Sequence, residues 1–108
     1  MLVITRFRVP ADRTTPEGFR SQLEGALAVL AAQRGYVEGV VGRNVDDPEL
    51  WVLQTRWSGP GAYRRALSAY DVKLNAWALL GQAIDEPSAY ELATTGEALN
   101  DAQPRENR

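Results

Sequence analysis

From residue 2 to residue 9 the side chains alternate with a period of two, Val3, Thr5, Phe7 and Val9 on one face and Leu2, Ile4, Arg6 and Arg8 on the other. This β-branched, aromatic run predicts a strand, and Pro10 ends it. The period then lengthens. Phe19, Leu23, Ala26, Leu27 and Leu30 recur at helical spacing, Thr15 is placed to cap with Pro16 at the first helical position, and Gly35 supplies a left-handed stop. A helix over 16–33 is predicted, with Arg20, Glu24 and Arg34 on its polar back. Residues 36–45 form a second extended run interrupted by Gly39 and Gly42. Asp46, Asp47, Pro48 and Glu49 have the turn chemistry that joins antiparallel strands. In residues 50–57 alternation returns, with Trp51, Leu53, Thr55 and Trp57 on one face and Leu50, Val52, Gln54 and Arg56 on the other. Ser58-Gly59-Pro60-Gly61 then opens a second helix whose stripe is Tyr63, Ala66, Leu67 and Tyr70. Residues 72–81 read as a further short helix or a closing segment, and 88–93, after Pro87, as a last strand.

The order βαββαβ predicts an α+β, ferredoxin-like fold: one four-stranded antiparallel sheet with both helices on one face. The opposite face carries Leu2, Ile4, Leu50 and Val52 among arginines and a glutamine. A half-apolar face of this kind suits packing against a twin sheet, so a homodimer is expected. Residues 94–108 hold three apolar side chains without periodicity and read as a mobile, disordered tail behind a domain spanning 1–93.

Composition narrows the chemistry. The 108 residues include no cysteine and no histidine. That removes disulfides, thiolate and imidazole metal ligation, thiol nucleophiles and any Ser-His-Asp triad, so no metal centre is expected. Twelve basic against fourteen acidic residues give a net charge of −2 with no basic cluster, which argues against nucleic acid as a partner. After Met1 only three apolar residues precede Thr5 and Arg6, too few for a signal core or a membrane span, and the chain reads as cytoplasmic. The glycine pairs 39/42 and 59/61 match neither dinucleotide nor phosphate loops.

Aromatic residues are what remain. Trp51, Trp57, Tyr63, Tyr70 and Trp77 lie within 27 residues. Trp57 closes a strand on the face given to the helices, and Tyr63 and Tyr70 lie on the inward stripe of the second helix. Their rings are expected to converge around a flat apolar pocket with hydroxyl and indole donors at its edge, or else simply to fill the core. Asn75 looks into that pocket if 72–81 folds back over it; otherwise it is a surface amide. Arg64 and Arg65 read as an outer helical face. Such a pocket suits substrate-driven chemistry: a deprotonated phenol or hydroquinone passes an electron to dioxygen itself, and the protein need only bind, orient and polarise it. A proton-transfer enzyme would instead need a buried carboxylate, for which Asp71 is the candidate.

Leu-Trp-Val-Leu-Gln-Thr-Arg-Trp before Ser-Gly-Pro-Gly-Ala-Tyr, the stretch Arg-Ala-Leu-Ser-Ala-Tyr-Asp-Val-Lys ending at Lys73, and Asp-Glu-Pro-Ser-Ala-Tyr-Glu from Asp85 resemble the antibiotic biosynthesis monooxygenase family of the dimeric α/β-barrel superfamily. The resemblance spans 1–93. It implies a dimeric α/β barrel and a cofactor-independent oxygenase acting on aromatic, quinone-type small molecules of the polyketide kind. Trp57 and Tyr63 match the Trp and Tyr such enzymes use and are the catalytic candidates, with Tyr70, Asn75 and Trp77 lining the substrate. The family's Asn four positions before the Trp is replaced by Leu53, and its Arg has no clear counterpart. The haem-degrading branch needs a histidine that this chain lacks. The rival expectation is a non-catalytic ligand-binding or stress-related barrel domain.

Overall fold

The computed structural model describes residues 1–96, 98 and 99. Four strands, β1 (Leu2–Arg8), β2 (Tyr36–Arg43), β3 (Leu50–Trp57) and β4 (Ala89–Tyr90), form one antiparallel sheet in the order β2-β3-β1-β4. This is the ferredoxin-like arrangement expected from the element order. One helix, α1 (Pro16–Ala31), links the first two strands, and three shorter ones, α2 (Pro60–Ser68), α3 (Tyr70–Asn75) and α4 (Trp77–Leu80), lie between the last two.

Register decides which side chains share a face. Val3 stands opposite Thr55, Thr5 opposite Leu53 and Phe7 opposite Trp51, so the inward stripes of β1 and β3 merge into one surface under the helices. There Val3, Phe7, Trp51, Leu53, Thr55 and Trp57 are buried against Phe19, Leu23, Ala26 and Leu30 of α1. Helix α1 starts as its sequence predicts: the Thr15 Oγ1 accepts from the Gly18 N–H at 3.0 Å, with Pro16 in the first turn. Its end and that of β2 fall two residues short of the expected limits. Gly35 explains the turn between them. Its φ is +91°, and a Cβ there would come within 2.4 Å of the Ala62 Cβ, so a side chain would push α2 off the sheet.

Two expectations need correction. The second helix does not run on through Tyr70. Ala69 is extended (φ −68°, ψ 142°), and Ala76 breaks the path again, so the predicted stripe is cut after α2 and the chain is re-aimed twice. The last strand is shorter than 88–93. Pro87 has no N–H to donate and disfavours continuation behind it, while Leu92 leads into a 3₁₀ turn, Ala93–Thr95, closed by Gly96 at φ +80°. The expected domain boundary at 93 falls in that turn, and residues 97 and 100–108 of the proposed tail lie outside the described residues.

On the open face the arginines are paired rather than bare. Arg8 meets Asp47 at 2.9 Å, Arg56 meets Glu38 at 3.1 Å, and Arg6 grips Glu86 through two hydrogen bonds of 2.7 Å. Between them Leu2, Ile4, Leu50 and Val52 are half-buried and Val40 is exposed. No helix of the described residues is long and apolar enough to cross a membrane.

Candidate functional site

The aromatic residues separate into two clusters. Phe7, Phe19 and Trp51 meet edge to face at centroid distances of 5.7 and 5.4 Å and fill the core between β1, β3 and α1. Trp51 therefore takes no part in the candidate site. At the other end of β3, Trp57 is held between Tyr36 (5.6 Å, 85°) and Tyr63 (5.5 Å, 53°). Trp57 is 2% exposed, and its indole N–H donates to the Thr55 Oγ1 at 2.9 Å. It offers a ligand almost no surface. Its place is behind Tyr63, which it props.

Tyr63 borders open space. A cleft of about 570 Å³ runs between β1, α2, α4 and the returning chain, walled by Tyr63, Leu67, Trp77, Leu80, Ile84 and Thr5. That volume lies in the range of small-molecule sites. Tyr63 and Leu67 also border a second hollow of about 680 Å³, lined by Ser58, Pro60 and Tyr90.

The donors in this cleft are fewer than the residue types suggest. Trp77 is half exposed and lines the cleft, but its indole N–H donates to the Leu67 carbonyl at 2.9 Å, and the Lys73 ammonium lies 5.3 Å from its ring centroid. It is a flat wall, not a donor. With both indoles engaged internally, the Tyr63 hydroxyl is the aromatic donor left for a ligand. Burial pushes the Tyr63 phenol above its ordinary pKa, so it stays protonated at neutral pH and acts as a hydrogen-bond donor rather than a base.

Two expected residues do not join the others. Tyr70 is 75% exposed, because the break at Ala69 starts a new helix and turns its ring out of the α2 stripe. Asn75 is exposed as well, whereas Val72, Ala76 and Leu79 are the buried positions of 72–81. Neither lines the cleft. Asp71 is likewise exposed, which removes the buried carboxylate a proton-transfer enzyme would need. Arg64 and Arg65 are exposed, as an outer helical face should be.

Sequence reasoning missed Thr5, Arg6, Ile84 and Glu86, all of which line the cleft. Thr5 did carry a signal, as a hydroxyl on an otherwise apolar inward stripe. It stands directly opposite Leu53 in the register. Among the described residues no group of three or more potential metal ligands occurs.

Solved structures share this architecture. SnoaB, a cofactor-independent oxygenase from Streptomyces nogalater, is 28% identical in a point-variant structure, covering 77% of this chain and 82% of that one with a TM-score of 0.66. A second SnoaB structure is 25% identical over 96% of each chain, with a TM-score of 0.65. A Deinococcus radiodurans protein shares the fold at 20% identity, with 95% and 100% coverage and a TM-score of 0.68. No protein with a curated record matches the sequence at a significant level. The family model for antibiotic biosynthesis monooxygenases matches residues 1–73, which hold three strands, α1, α2, Trp57 and Tyr63. The chain belongs to the antibiotic biosynthesis monooxygenase family.

Proposed function

We propose that this protein is a cofactor-independent monooxygenase for an aromatic, hydroquinone- or anthrone-type small molecule held against Tyr63. The observation that carries this reading is the cleft itself: one protonated phenol beside a space walled by Leu67, Trp77, Leu80 and Ile84 and edged by polar residues of the returning chain, with both neighbouring indole N–H groups already bonded within the protein. The aromatic ligand lies between Trp77 and the Leu67–Ile84 side, and the Tyr63 O–H donates to its phenolic or carbonyl oxygen. That bond stabilises the anion formed when the ring system gives up a proton to solvent water, which returns it as the peroxide collapses. The carbanion form passes an electron to dioxygen, the two radicals combine, and the peroxide collapses: a ring CH₂ becomes C=O, one oxygen atom stays in the product and the other leaves as water. All four electrons come from the substrate, so no external reductant is required. Trp57 is a positioning residue, acting through the ring of Tyr63.

The half-apolar outer sheet face supports a homodimer, because its charges are already neutralised by Glu38 and Asp47 and its apolar residues lie between them. Sedimentation at micromolar concentration should give twice the chain mass, and a monomer there would remove the dimer.

Oxygen uptake with an anthrone in air, without added cofactor and above the uncatalysed background, tests the reaction. Tyr63→Phe should lower kcat by about 100- to 1000-fold, as expected for loss of one anion-stabilising donor, and Trp57→Phe by less. Rates unchanged in both variants would end the assignment. The reading as a non-catalytic binder is favoured by one observation: buried Leu53 stands where the resemblance drawn from the sequence implies an amide. Saturable anthrone binding without oxygen uptake would select it.

A further inference from the structure

Two threonines face the helices from the sheet, and the protein uses them differently. Thr55 on β3 is 2% exposed and its hydroxyl accepts the Trp57 indole N–H at 2.9 Å, so it is consumed within the core. Thr5 stands on the inward stripe of β1 between Val3 and Phe7, which are 2% and 1% exposed, yet Thr5 itself is half-buried. The cleft accounts for the difference. Of that inward stripe only Thr5 lines it, facing the walls made by Tyr63, Leu67, Trp77, Leu80 and Ile84. Among the described residues the Thr5 hydroxyl has no hydrogen-bond partner, and neither has that of Tyr63. Two uncommitted hydroxyls therefore border one space, Thr5 from the sheet and Tyr63 from α2.

A threonine hydroxyl both donates and accepts. While the cleft is open, solvent satisfies it. A ring system lying over Thr5 excludes that solvent and strands the hydroxyl, unless the ring brings a partner of its own. Resting on the cleft reading above, we propose that Thr5 is the specificity-determining residue of this site, and that the ligand carries, besides the oxygen taken by Tyr63, a ring hydroxyl placed to meet the Thr5 hydroxyl. The selection works by penalty. A matched hydroxyl exchanges its bond to solvent for one to Thr5 at little net cost, whereas a bare ring leaves Thr5 unpaired and a misplaced hydroxyl leaves Thr5 unpaired all the same. A flat ring held by Tyr63 alone can swivel about that one oxygen between Trp77 and the opposite wall. A second contact from the other layer of the fold fixes its orientation in the plane.

Fluoren-9-one is a flat tricyclic ketone that air does not oxidise, with one oxygen for Tyr63, and its monohydroxy isomers carry a second oxygen at successive positions around the ring. Equilibrium dialysis against the full chain measures their affinities. In the wild type one isomer should bind about tenfold more tightly than the parent ketone, and the isomers whose hydroxyl is misplaced no more tightly than it. Thr5→Val keeps the shape and removes the hydroxyl. It should bring the preferred isomer below the parent ketone, whose own affinity rises, while Thr5→Ser, which restores the hydroxyl, should retain the preference. Equal affinities across the isomers in the wild type, or a preferred isomer that keeps its advantage in Thr5→Val, would overturn the proposal. The parent ketone separates the two levels of inference. If it binds, and binds more weakly in Trp77→Ala, while no isomer exceeds it, only the role of Thr5 fails; if neither the ketone nor any isomer binds, the aromatic cleft fails with it.

Discussion

The bond from the Trp57 indole N–H to the Thr55 Oγ1 is the point at which the core and the candidate site depend on each other. Both side chains are 2% exposed and the bond is 2.9 Å long. Thr55→Val is nearly isosteric, so it leaves the packing of β3 under α1 in place while removing the acceptor. The indole N–H is then buried without a partner, and such a group costs about 1–3 kcal/mol. At roughly 2.1 cal/mol/K of unfolding entropy per residue, a chain of this size loses about 4 °C of Tm for each kcal/mol, so a fall of about 4–13 °C is expected. Denaturant unfolding and scanning calorimetry at one fixed protein concentration measure it, the fixed concentration being needed because association raises apparent stability. A double-mutant cycle isolates the bond. With Trp57→Phe in the background no N–H remains to be stranded, so adding Thr55→Val should cost nothing or stabilise, giving a coupling of about 1–2 kcal/mol. The reasoning is refuted if Thr55→Val alone stays within about 0.5 kcal/mol of wild type, the range of ordinary surface changes, or if the two substitutions are additive.

Gly35→Ala should be among the more damaging single substitutions, at about 2–4 kcal/mol in chemical unfolding, since it combines a left-handed backbone with a clash against Ala62 on α2. The Arg6–Glu86 contact holds the Glu86 carboxyl below its usual range, chiefly by hydrogen bonding. Its contribution is therefore present above the unfolded glutamate value of about 4.3 and is lost as pH falls through the lower folded value. Acid unfolding curves of wild type and Glu86→Gln should converge as that value is passed, and curves separated by a constant amount across pH would refute it. For Tyr63 the sign reverses: burial raises the phenol's pKa, so native stability falls as pH rises beyond about 10, where the unfolded phenol ionises first. Tyr63→Phe should flatten that alkaline decline, and an ultraviolet titration of phenolate should lose its highest-pH step in the variant.

The sheet was legible because its strands obey a strict period. Val3, Phe7, Trp51, Leu53, Thr55 and Trp57 all face the helices as alternation requires, and a slip of one residue in both strands would have put Arg6, Arg8, Gln54 and Arg56 into the core. The start of α1 was legible for a similarly local reason, a threonine cap followed by proline. The site was legible where it rests on these elements, in Trp57 at the end of β3 and Tyr63 one turn into α2, and in Trp77, whose ring lines the cleft as expected. It failed where the backbone changes direction without a residue that announces it. Ala69 and Ala76 are strong helix formers, yet both lie at breaks, because burying Val72, Ala76 and Leu79 against the core matters more than the propensity of two alanines. Those breaks turn Tyr70 and Asn75 outward and carry Trp77 to the cleft. The mouth of the cleft depends on a third departure, at Pro87, where the strand that alternation extends instead lifts away and leaves Arg6 reaching for Glu86 across 80 positions of sequence. Propensity is a property of neighbours in the chain, whereas each of these three departures is imposed by packing between elements far apart in it. A site assembled from such departures takes its shape from parts of the chain where local pattern is weakest, which is why the cleft lining at Ile84 and Glu86 lies outside every element the pattern predicts.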